Sequence, residues 1–192
     1  MSLRIAQDEA ADEVLSTNAF ALVVGMMLDQ QFPMERAFAG PAKILDRFGT
    51  LNPEAIAEAP PEEFAAACAT PPAVHRFPQA MAGRIQELAR QIVRSYGGNT
   101  ATLWESADSG DELLKRVQAL PGFGSQKAQI FVALLGKQLG VAPAGWEQAA
   151  GVYAEPGSFR SVADVRSPET LDKVRAFKTE QKAAAKAAKS KR

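Results

Sequence analysis

Apolar positions recur along this chain every three or four residues, the period of α-helices, and prolines and glycines cut the pattern into segments. Residues 6–13 predict a short helix led by Asp8, Glu9 and Asp12. Ser16-Thr17-Asn18 then offers an N-cap for residues 19–31, apolar on nearly all sides and so a buried helix, ended by Phe32-Pro33. Residues 34–48 carry Ala37, Phe38, Ile44, Leu45 and Phe48, with a break at Gly40-Pro41 and a C-terminal Gly49. Asn52-Pro53-Glu54 and Pro60-Pro61-Glu62-Glu63 put proline at a helix start with acids in the first turn, predicting short helices over 53–58 and 61–68. Pro71-Pro72 forces a turn. Residues 78–95 place Met81, Ile85, Leu88, Ile92 and Val93 on one face and are closed by Gly97-Gly98-Asn99. Residues 111–118 turn Leu113, Leu114 and Val117 inward, and residues 125–139 predict a final core helix. Only residues 2–5 carry a strand-like period, so the expected class is all-α.

The pattern changes after Gly140. Pro143, Gly145, Gly151, Pro156 and Gly157 predict an ordered loop, and Ser167-Pro168-Glu169 starts another helix whose Leu171, Val174 and Phe177 can pack back. The organisation expected is a helical body over 1–140, a loop and helix packing on it over 141–177, and a Lys/Ala-rich tail over 178–192. That tail has no apolar stripe and is expected to be solvated and disordered.

Composition narrows the chemistry. With 46% apolar residues in 192, the chain can bury a core. The net charge is zero, but residues 178–192 hold six basic residues and one acid, leaving the rest about five negative. Any nucleic-acid binding must therefore come from local features. One cysteine, Cys68, excludes an intrachain disulfide and a four-cysteine iron–sulfur cluster, and one histidine, His75, argues against zinc. No leader-like or membrane-length apolar run is evident, which predicts a cytoplasmic protein, nucleoid-associated if it binds DNA, with no membrane partner. A monomer is expected.

The sharpest local signal is Leu120-Pro121-Gly122-Phe123-Gly124-Ser125-Gln126-Lys127-Ala128. One helix ends near Ala119, Pro121 stiffens the turn, and Gly122 and Gly124 allow positive φ and close backbone approach. The next helix begins at Ser125, so its free N–H groups and positive dipole end point out of the turn, a site for one phosphate. Lys127 in its first turn can add a point charge, and Leu120, Phe123, Ala128 and Ile130 would lock the two helices. Binding of this kind ignores sequence and weakens with salt.

This hairpin resembles that of the helix–hairpin–helix DNA glycosylases related to endonuclease III. Leu28-Asp29-Gln30-Gln31 is similar to the block that ends the family's buried helix and borders its base pocket. Asp46-Arg47-Phe48-Gly49-Thr50, His75-Arg76-Phe77, Arg84-Ile85-Gln86-Glu87-Leu88-Ala89 and Tyr96-Gly97-Gly98 follow in the family's order, so the likeness covers residues 18–140. It implies a two-lobed all-α fold with a cleft for an extruded base. It also implies DNA contacts from Gly122 to Lys127 and from Gln30, Gln31, His75 and Arg76. Family members often hold a monovalent cation with hairpin carbonyls, which maps to Leu120 and Gly122; no other cofactor is expected.

The family's catalytic pattern is broken here. Its enzymes use an aspartate after the hairpin's second helix, because the departing base leaves an oxocarbenium-like sugar that needs a carboxylate for charge or for proton removal. Bifunctional members add a lysine on that helix. The aspartate's place falls nearest Ala142 and the lysine's on Gln126; Lys127 lies about 100° further round the helix, which argues against a lyase step. Two acids can substitute. Asp29 ends an apolar helix in the pocket block, where an acid carries a desolvation cost. Glu147 lies near the lost aspartate in sequence. Each also has a plainer role open to it, Asp29 as a cap or partner of Arg36 and Glu147 as a solvated loop acid. Trp146 can stack on a base or pin the loop to the core. Three functions follow: a glycosylase with a relocated carboxylate, a catalytically silent DNA-binding or lesion-recognition protein, or an all-α interaction protein without DNA binding.

Overall fold

A computed structural model describes residues 2–190, and it is all-α among those residues. Helices α1 (Glu9–Thr17), α2 (Ala19–Leu28), α3 (Met34–Phe38), α4 (Gly40–Phe48), α5 (Pro53–Glu58), α6 (Pro61–Ala69) and α7 (Pro78–Tyr96) form a first group. A short α8 (Thr102–Glu105) leads to α9 (Gly110–Gln118), α10 (Ser125–Leu139), α11 (Trp146–Ala150) and α12 (Pro168–Ser190). α2 packs against α1, α3, α4 and α7, while α10 packs against α9, α11 and two 3₁₀ turns that precede α12. The first group centres on the almost wholly apolar α2 and the second on α10, which buries Phe131, Val132, Leu134 and Leu135, and the two share one continuous core.

Local chemistry accounts for most boundaries. Asp8 caps α1, Asn18 caps α2, Asn52 caps α5 and Ser109 caps α9, each accepting a backbone N–H two or three residues into the helix. The expected helix over 6–13 therefore starts later and runs on to Thr17. The strand-like residues 2–5 are not a strand. Ile5 and Ala6 instead donate their N–H groups to the Asp12 carboxylate, and Leu3 and Ile5 enter the core.

α2 stops at Leu28 rather than Gln31. The Gln30 N–H bonds back to the Leu28 carbonyl, and Gln31 adopts φ 51°, a left-handed conformation that costs a non-glycine residue about 1–3 kcal/mol. Residues 29–33 thus leave the helix as a tight, strained loop. Met26, Met27 and Met34 are core residues, as their context predicts.

The tail differs most from expectation. Residues 178–190 continue α12 as helix rather than forming a disordered segment. Leu171 and Val174 bury the first turns, which supplies the nucleus, and Ala, Lys and Gln then propagate the helix at little cost. No single helix among the described residues is long and apolar enough to cross a membrane.

Candidate active site

The hairpin joins α9 to α10 through residues 119–124. The Phe123 N–H bonds to the Leu120 carbonyl at 3.2 Å, and Gly122 takes φ 80°. Leu120 and Phe123 are buried, and the Phe123 ring meets Phe131 edge-on with centroids 6.0 Å apart. Phe123 is thus a lock between the helices, its ring turned into the core. Gly124 corrects the expectation of positive φ, since its φ is −75°. A Cβ there meets nothing within 4 Å, so its glycine is not needed for folding and leaves open ground before α10.

α10 has no side-chain cap, so its first N–H groups, at Ser125 and Gln126, remain free for an anion. Replacing Gly122 with alanine should cost about 1–2 kcal/mol for its left-handed backbone. Gly124→Ala should stay within about 1 kcal/mol in thermal melts yet weaken duplex binding by crowding the helix N-terminus.

Beside the hairpin lies a cleft of about 970 Å³. The 29–33 loop forms its floor, Gln126 and Ile130 of α10 one wall, Val152 and Tyr153 a second, and Arg175, Lys178, Gln181 and Lys182 of α12 the third. Ile130 is half-buried against the core and also faces the cleft. Gln126 donates to the Tyr153 hydroxyl at 2.8 Å, joining two walls.

Asp29 occupies the floor with its side chain only 13% exposed. Burial raises its pKa above 3.8 against the pull of Lys178 and Lys127, and nearby Glu35 pushes the same way. Its nearest cation is Lys178, 4.0 Å away, and not Arg36, which lies over the Phe32 ring. The carboxylate accepts no hydrogen bond among the described residues. An acid at the negative end of a helix is poorly placed for stability.

Lys127 explains how α2 tolerates it. The sequence assigns this ammonium to a phosphate, but it turns inward and donates to the carbonyls of Met26 (2.9 Å) and Met27 (3.3 Å). It caps α2 from the other helix group and sets a positive charge near Asp29. Burial lowers its own pKa while Asp29 raises it.

Glu35 and Arg175, which nothing in the sequence singled out, pair at 2.6 Å in the same cleft. The acid follows Pro33-Met34, an ordinary helix start. Lys178 was hidden as the first residue of a supposed tail.

Other expected residues fall elsewhere. His75 is buried; its Nε2 donates to the Gln30 carbonyl at 2.8 Å and its Nδ1 accepts the Phe77 N–H at 3.1 Å, so it clamps the 29–33 loop. Gln30 lines the cleft, but its amide is tied to the Met27 carbonyl at 2.9 Å. Gln31 lines the cleft and is exposed, and Arg76 is exposed beside the Phe77 ring. Glu147 is absent from the cleft; it lines a different hollow with Lys137 and Trp146. Trp146 packs where a Cβ on Gly136 would come within 2.3 Å of its ring, so it pins the loop.

Of the two hairpin carbonyls expected to hold a cation, that of Gly122 accepts no hydrogen bond among the described residues. Leu120 already accepts from Phe123, and the adjoining Ala119 carbonyl accepts from Gln91 at 2.8 Å. Cys68 is buried, its thiol pushed up to about 12, and it is no nucleophile.

Residues 24–191, which hold both the hairpin and the cleft, match the model of the HhH-GPD superfamily base excision DNA repair proteins. The chain belongs to the HhH-GPD superfamily. A search of curated proteins finds no match. HhH-GPD repair proteins bind DNA, and the match covers the hairpin, the Asp29 loop and α12 alike.

Proposed function

We propose that this HhH-GPD protein is a monofunctional DNA glycosylase that releases a damaged base using Asp29. The observation that carries the reading is a nearly buried carboxylate of raised pKa, free of hydrogen bonds and open to a cleft beside the hairpin. A free N-terminus at α10 would hold one phosphate and present the adjoining nucleotide to the cleft, where Tyr153 offers a ring for a base.

As the N-glycosidic bond breaks, its electron pair leaves with the base nitrogen, and the ionised Asp29 stabilises the cationic sugar. Water then adds its oxygen to C1′ and passes a proton to the carboxylate, which later yields it to the base. A raised pKa makes Asp29 a better proton acceptor than an ordinary carboxylate. The Lys127 amine is taken up by two carbonyls and does not attack C1′, so no lyase step follows.

A second reading, a lesion-binding protein without catalysis, draws on Ala142, which stands exposed nearest the place of the family's aspartate. Single-turnover incubation with duplexes carrying one deaminated, alkylated or oxidised base separates the two. Free base and an abasic strand from at least one duplex are expected. Tight, lesion-selective binding with no product at saturating protein would overturn the glycosylase reading.

A further inference from the structure

Arg175, Lys178, Lys182, Lys186 and Lys189 of α12 follow one another at intervals of three or four residues and so form one stripe on one helix face. The stripe is about 21 Å long at the rise of an α-helix. Its first two cations are met by acids of the cleft, Glu35 at 2.6 Å and Asp29 at 4.0 Å. Lys182, Lys186 and Lys189 are exposed and pair with no carboxylate among the described residues. Lys178 and Lys182 line the cleft, so the stripe starts at its α12 wall and runs outward. Glu180 is the one acid in this part of the helix and falls on the opposite face, among alanines.

Beyond Val174 no residue of α12 is fully buried, so the fold does not need these lysines for packing. The remainder of the chain is net negative and by itself repels polyanions.

We propose that this face of α12 is a second DNA-backbone surface, which grips the duplex flanking the extruded nucleotide and guides that strand over Asp29. The proposal rests on the glycosylase reading for what is delivered to Asp29, but the binding it describes needs no lesion. Five cations about 5 Å apart over 21 Å lie along a length of duplex that carries one charge per 3.4 Å of axis on each strand, so several phosphates lie within their reach.

The test measures binding of the full chain to an undamaged duplex by fluorescence anisotropy between about 50 and 200 mM salt. Lys182→Gln, Lys186→Gln and Lys189→Gln together keep helix-forming side chains while removing the free charges. The triple variant should bind at least about tenfold more weakly at low salt, with the salt slope smaller by about 3. Glu180→Gln should leave that slope unchanged, and circular dichroism should show the helix intact in both.

An unchanged slope in the triple variant, with wild type binding the duplex, would overturn the α12 surface and leave the glycosylase reading standing. No duplex binding by wild type at low salt would remove both. Loss of binding to phosphatidylserine vesicles on the same substitutions, with DNA binding unaltered, would reassign the stripe to a membrane and overturn the proposal.

Discussion

Asp29→Asn should lower single-turnover base release by roughly 10²- to 10⁴-fold while raising the melting temperature at neutral pH. The two effects share one cause. Asparagine keeps the size of the side chain and removes a charge that is nearly buried, lacks hydrogen bonds and sits at the wrong end of α2. An acid whose folded pKa stands above its unfolded value costs stability when ionised. That cost is absent below pH 3.8, the unperturbed value, grows as pH rises toward the folded pKa, and is complete above it. The variant should therefore melt above wild type at pH 7, and the gap should close on acidification. Such a trade of stability for activity is the usual signature of a functional acid. A variant that loses activity and melts lower would point instead to a structural carboxylate.

The largest loss of stability is expected from Asp164→Ala, a residue outside the cleft lining. Asp164 is buried between α10 and the approach to α12, where it accepts from Lys137 Nζ at 2.6 Å and from the N–H of Arg160 at 2.8 Å and Ser161 at 3.2 Å. The Lys137 and Asp164 side chains are only 12% and 4% exposed, so removing one leaves the other charge short of compensation. A cost of about 3–5 kcal/mol is expected, read as a lower urea midpoint at unchanged slope. A loss below about 1 kcal/mol would contradict the account of how the C-terminal segment is fixed to α10. Glu147→Ala provides the contrast, since an exposed acid outside the cleft should change both stability and base release very little.

How much of this was legible in the sequence depends on how local its cause is. α5 and α10 run where proline, glycine and apolar period place them, because their start and stop signals lie within the segment. The hairpin was legible for the same reason, and so was Asp29, whose polarity at the end of an apolar helix marks it. What the sequence hid is long-range. Lys127 looks like a first-turn cation beside a phosphate until α2 is placed against it, when two carbonyls about a hundred residues earlier capture its amine. His75 reads as a stray imidazole until both nitrogens find backbone partners. Lys178 reads as part of a tail until α12 crosses the cleft. The basic residues of α12 carry a local signal in their spacing of three and four residues, which composition alone does not show.

These features meet in one arrangement. The hairpin leaves a free helix N-terminus, Lys127 fixes the end of α2, and the loop that follows sets Asp29 in a cleft that α12 walls with basic residues. The claim at its centre is that Asp29 stabilises a developing sugar cation, and it can be tested without knowing the lesion. The measurement is the affinity for two duplexes, one with a cationic pyrrolidine in place of one deoxyribose and one with a neutral tetrahydrofuran at the same position. Wild type should prefer the cationic duplex by about 10²-fold or more, as expected for a mimic of the transition state, and Asp29→Asn should lose that preference while binding the neutral duplex as before. Equal affinity of wild type for both duplexes, or a preference that survives Asp29→Asn, would contradict it.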